Sequence, residues 1–88
     1  MAVFLVVSEQ DNEALGRAIA DRYGDAHLRL SDHAWFVAAD KLTRQVAEDL
    51  DIHGGAYGRA IVVKAENWSG WQRKSVWEWL KLKAEANG

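Results

Sequence analysis

From Ala2 to Val7 the chain reads Ala-Val-Phe-Leu-Val-Val with no polar residue between. An unbroken β-branched and aromatic run of this kind predicts a central strand covered on both faces. Ser8 to Asn12 is a polar stretch rich in helix-capping types, after which Leu15, Ala18, Ile19 and Tyr23 recur at helical spacing until Gly24. This predicts a first helix stopped by that glycine. Ala26, Leu28 and Leu30 then alternate with His27 and Arg29, the period of a half-buried or edge strand. The Ser31-Asp32 pair predicts a tight turn into a second aromatic-rich strand, His33 to Ala39.

Asp40 is a natural N-cap for the next segment, where Leu42, Val46 and Leu50 repeat every four residues beside Ala47. A second helix should end near Leu50. His53-Gly54-Gly55-Ala56-Tyr57-Gly58 reads as a flexible connection. Arg59 to Ala65 follows as a strand, its centre Ala60-Ile61-Val62-Val63 apolar on both sides. Ser69-Gly70-Trp71-Gln72 has the spacing of a capping box, and Val76, Trp77, Leu80 and Ala84 form the stripe of a final helix reaching about Ala86.

The order βαββαβ plus a C-terminal helix predicts an α+β fold: a ferredoxin-like sandwich in which a four-stranded antiparallel sheet carries two helices on one face. The other face of such a sheet is open, yet the first, third and fourth strands carry apolar residues pointing both ways. That face needs a cover. The candidates are the Trp-rich C-terminal helix folded back over it, or a second copy of the chain.

Composition narrows the class. With 88 residues, 49% apolar and 27% charged, the chain fits one small globular domain over residues 1–88. There is no Cys, so disulfides and thiolate metal sites are excluded, and stability must come from packing, to which five Trp contribute. The longest apolar runs fall far short of the roughly 20 residues that span a bilayer. Met1-Ala2-Val3-Phe4 has no basic flank like that of a secretory signal. The expectation is a soluble, cytoplasmic protein without membrane contact. Net charge is -2, but the acidic excess sits in residues 1–51 and a basic excess in residues 52–88. This polarity is milder than the strongly basic balance of a dedicated nucleic-acid binder.

The Trp-rich segment is the most distinctive piece of chemistry. Trp77 and Trp79 lie about 200° apart on a helix, so Trp71, Trp77 and Trp79 cannot all point with Val76 and Leu80 into one stripe, and at least one ring belongs at a boundary. Trp71, Trp77 and Trp79 are candidates for stacking against bases, a peptide or another subunit, with Arg73, Lys74, Lys81 and Lys83 supplying charge. The competing reading makes the rings core. Glu9, Asp11 and Glu13 gather after the first strand, where carboxylates can meet a hard cation, although acids there also serve the helix dipole and no metal geometry is fixed. His27, His33 and His53 are spread over two strands and a loop. With Leu30 opposite His33, His27 faces Phe36 and the histidines are poorly placed to share a metal. Ser8, Ser31, Ser69 and Ser75 lack a nucleophile elbow. The glycine-rich loop precedes a strand rather than a helix, which argues against a phosphate cradle and leaves Tyr57 or Arg59 as contact residues.

Three segments together resemble a known family. Phe4-Leu5-Val6-Val7-Ser8, Ser31-Asp32-His33-Ala34-Trp35-Phe36-Val37 and the Trp-Ser-Gly-Trp motif followed by Trp79-Leu80 are similar to the SinR-like small ferredoxin-like proteins, relatives of the CRISPR-associated adaptation nucleases. The resemblance implies a compact dimer-forming domain, in some members nucleic-acid-binding. It also implies that active members carry an Asp at the end of the first strand for metal-dependent phosphodiester cleavage. Here that strand ends in Val7-Ser8-Glu9-Gln10, with no Asp before Asp11. Ser is not a carboxylate ligand, so Glu9 would have to substitute. The RNA-recognition motif is the other ferredoxin-like comparison, with Phe4 and Trp35 or Phe36 as the stacking pair. Its glycine-aromatic signature is missing from His33 to Ala39.

The leading expectation is a non-enzymatic homodimeric interaction domain using the apolar sheet face or the Trp-rich helix. The alternative is nucleic-acid binding through Arg59, Lys64, Arg73, Lys74 and neighbouring Trp rings. An enzyme, if it is one, would be a divalent-metal-dependent nuclease using Glu9 and Asp11. No metal set, other cofactor or small-molecule site is legible.

Overall fold

The computed structural model describes residues 1–85. Its elements run β1 (Ala2–Ser8), α1 (Glu13–Tyr23), a 3₁₀ turn (Gly24–Ala26), β2 (His27–Ser31), β3 (Ala34–Ala39), α2 (Thr43–Asp49), β4 (Ala60–Ala65) and α3 (Lys74–Glu85). The expected helix end at Ala86 lies outside the described residues. The strands form one antiparallel sheet in the order β2-β3-β1-β4, the ferredoxin-like α+β arrangement.

β1 is the central strand, and its apolar run is explained by two cores. Phe4 and Val6 point to one face, where they pack with Leu15 and Ile19 of α1, Trp35 and Val37 of β3, and Val46 and Leu50 from the α2 region. Val3 points to the other, where it joins Phe36 with Val76 and Leu80 of α3. The C-terminal helix therefore covers part of the open face. Val76 and Leu80 form its seam, and Trp77 and Trp79 sit about 80° to either side of the seam midline at 100° per residue. Both rings are half-buried against the sheet. The stripe is a seam with an aromatic flank on each side, in line with the expectation of at least one boundary ring.

Local signals held at α1. The Asn12 side chain accepts from the Leu15 N–H at 3.0 Å, and Gly24 ends the helix at φ 53, a conformation that favours glycine. At α2 they did not. Asp40 lies near the terminal ammonium, 3.6 Å away, and the N-cap is Leu42, whose N–H donates to the Gln45 side chain at 2.9 Å. Residues Ser69 to Gln72 are irregular chain, and α3 starts only at Lys74, so the expected capping box does not form. The hairpin turn is Asp32-His33, with Ser31 opposite Ala34 and a register shift between Arg29 and Ser31. Because the turn is Asp32-His33 and not Ser31-Asp32, His27 stands opposite Val37 rather than Phe36. Among the described residues no helix is long and apolar enough to cross a membrane.

Candidate functional site

The end of the sheet at Ser8 is organised by one residue, Asn12. Its Nδ2 donates to the Tyr57 carbonyl at 2.6 Å and to the Ser8 hydroxyl at 3.2 Å, and its backbone N–H donates to the Asp32 carbonyl at 2.8 Å. The first strand, the β2–β3 turn and the long loop before β4 thus converge on a single capping residue. Ser8 is buried beneath it. Glu9 and Asp11, the candidates for metal-dependent chemistry, line one pocket there with Asn12, Tyr57 and Arg59. Glu9 reaches Arg59 at 3.6 Å, and Asp11 reaches the His33 Nδ1 at 3.4 Å, all four side chains largely exposed. Among the described residues no group of three or more His, Asp or Glu side chains is placed to hold a metal ion.

The loop residue Tyr57 is half-buried against the helix-face core, with its carbonyl fixed by Asn12. The base-stacking comparison fares no better on the sheet. Phe4 and Trp35 are buried under α1 and α2, while Phe36 lies beneath α3, stacked with Trp79 at 6.3 Å between centroids. None of the three presents an open ring face for stacking on the sheet.

The Trp-rich segment combines anchored side chains with exposed rings. The Trp79 Nε1 donates to the Asp25 carbonyl at 3.3 Å, and the Arg73 guanidinium donates to the Arg29 carbonyl at 2.9 Å, so both tie the segment to the β2 side. Lys74 pairs with Glu78 at 3.7 Å. Trp71, in contrast, is 99% exposed.

A cleft of roughly 590 Å³ lies between α1 and the β2–β3 hairpin, floored by Gly16 and Trp35. A Cβ on Gly16 would stand 3.2 Å from the Trp35 ring, so glycine here lets the helix approach the indole. The charges at its mouth neutralise one another, Arg17 with Glu13 at 2.7 Å and Arg29 with Asp32.

The remaining feature is the edge strand β4. Ala60 and Val62 are half-buried toward α2, but on the other face α3 reaches only as far as Ala65. Ile61 is left 58% exposed and Val63 46%, with Val7 directly opposite Ile61 on β1. The expected apolar pattern on both sides of β4 is present. The apolar pattern along Ala60 to Val63 marks a surface that wants cover, and this chain supplies it on one face only. No family model matches the chain, and no curated protein matches it.

Proposed function

We propose that this protein is a homodimeric interaction domain whose contact is centred on β4. The observation that carries the reading is the pair Ile61 and Val63, β-branched side chains standing in solvent on an edge strand. Water contact by such a strip is unfavourable by about 25 cal/mol for each Å² of apolar surface, and an unpaired edge beside it is an open template for another strand. The acidic turn lends little to nuclease chemistry, because its carboxylates pair with Arg59 and His33 and form no metal-holding group of three among the described residues. The Trp-rich helix, half of the original expectation for the contact, is engaged with its own sheet.

Light scattering coupled to size exclusion tests this at micromolar concentration. The expected mass is twice the 9.9 kDa of the chain, reduced to a single chain by Val63→Lys with the circular dichroism spectrum unchanged. A wild-type monomer across that range overturns the reading.

A second reading, contact with single-stranded nucleic acid, draws on the exposed Trp71 close in sequence to Arg73 and Lys74. It predicts that a labelled oligonucleotide binds at low salt, releases at higher salt and is lost on Trp71→Ala.

A further inference from the structure

The hydrogen-bond phase of the sheet fixes which backbone groups of β4 face outward. The Glu9 N–H donates to the Arg59 carbonyl at 2.9 Å, and these residues continue the β1–β4 register. Antiparallel ladders bond alternate opposed pairs, so Ile61, Val63 and Ala65 direct their N–H and C=O groups to β1. Ala60, Val62 and Lys64 direct theirs away from the sheet. Among the described residues no hydrogen bond from the loops or side chains reaches those outward groups. The opposite edge differs: β2 is broken by the register shift before Ser31, and its Arg29 carbonyl is occupied by Arg73. The only charge within β4 is Lys64, drawn to Glu66 at 3.7 Å, and the chain has no proline to block the edge.

We infer that two copies of this chain join edge to edge, β4 against β4, antiparallel about Val62, so that their sheets become one. This rests on the dimer reading above and specifies its geometry. A two-fold axis through the sheet keeps each face continuous, so residues on one face must oppose residues on the same face. Centred on Val62, the register bonds Ala60 to the second copy's Lys64 and Val62 to its own mate, using every outward group within the strand. Centred on Val63, it would leave Ala60 bonded outside the strand, to Glu66. The Val62 register also sets Ile61 opposite the second copy's Val63. These form close, non-hydrogen-bonded pairs on the bare face, so the two apolar strips merge. Lys64 faces Ala60 and not its own mate, which keeps like charges apart.

A chain without Cys makes the register directly testable with single Ile61→Cys and Val63→Cys variants at exposed positions. Opposed side chains in such a pair have Cβ atoms about 4.5–5.5 Å apart, near disulfide reach, whereas diagonal neighbours stand about 7–8 Å apart. The expected result is that an oxidised mixture of the two variants gives several-fold more covalent dimer than either alone. Amide exchange on the unmodified protein supplies a second readout. The N–H groups of Ala60, Val62 and Lys64 should slow by at least about tenfold as the dimer forms. If light scattering shows a dimer but the mixture crosslinks no better and those amides exchange unchanged, the edge pairing is overturned and the dimer reading survives. Best crosslinking by Val63→Cys alone overturns the Val62 register. A monomer overturns both.

Discussion

Phe36 and Trp79 stack with their planes 23° apart, and this contact fastens α3 to the middle of the sheet. Trp79 also donates to the Asp25 carbonyl, so one side chain joins the last helix to β3 and to the turn before β2. Trp79→Ala is expected to lower unfolding free energy by about 2–3 kcal/mol, somewhat below the usual range for a fully buried Trp because the ring is half-exposed. Trp79→Phe should recover most of the stacking part. Urea unfolding of the two variants beside the wild type checks this.

Asn12 joins the α1 cap to β1, to the hairpin turn and to the loop carrying Tyr57. Asn12→Ala removes the cap and leaves the Ser8 hydroxyl and the Tyr57 carbonyl without this partner. A loss of about 2 kcal/mol is expected, the upper part of the range for caps. Asn12→Asp should keep the cap and lose the donor to Tyr57, giving an intermediate stability in the same denaturation experiment.

Asp49 ties α1 to α2. Its carboxylate accepts from Tyr23 at 3.1 Å and Arg22 at 2.9 Å, and from Lys41. Burial alone would push this carboxyl up, but the bonds from Lys41 and Tyr23 and the neighbouring positive charges outweigh it and hold it below its ordinary value. Burial, followed by the Asp49 bond, raises the Tyr23 phenol far above its own. A carboxyl depressed by folding stabilises the protein above its unfolded pKa, and that contribution disappears as pH falls through the folded value. Between about pH 5 and pH 3 the urea midpoint of the wild type should therefore fall more steeply than that of Asp49→Asn. Equal slopes would assign the acid sensitivity elsewhere.

Gly24 holds φ 53 and ψ -128 with nothing within 4 Å of where a Cβ would stand. The cost of a side chain there is conformational and not steric crowding. Gly24→Ala is expected to destabilise by about 1–3 kcal/mol, measured as a lowered thermal midpoint, although alanine is the better helix former.

The order of elements was legible because each strand and helix has its own hydrophobic period, and the predicted centre β1 is the centre. What periodicity reports is which residues need cover, and it is silent on who provides it. Val3, Phe36, Val76 and Leu80 show that the chain covers part of the second face itself, while Ile61 and Val63 show where that cover ends. Short-range signals failed where a competing partner was present. Asp40 sits by the terminal ammonium instead of capping α2, and Arg73 bonds the Arg29 carbonyl just before α3 begins. Asn12 was visible as a capping type, but its bond to Tyr57 depends on a loop far along the chain and leaves no local trace.

The strand order has a kinetic consequence. β1 takes β3 on one side and β4 on the other, and the second pairing sets Val3 against Ala65. A contact so distant in sequence requires loop closure before any packing is gained, a cost that local contacts do not carry. If that closure limits the rate, α3, which follows β4 in the chain, docks after the limiting step. Damage to the α3 seam should accordingly appear as faster unfolding, with the folding rate little changed.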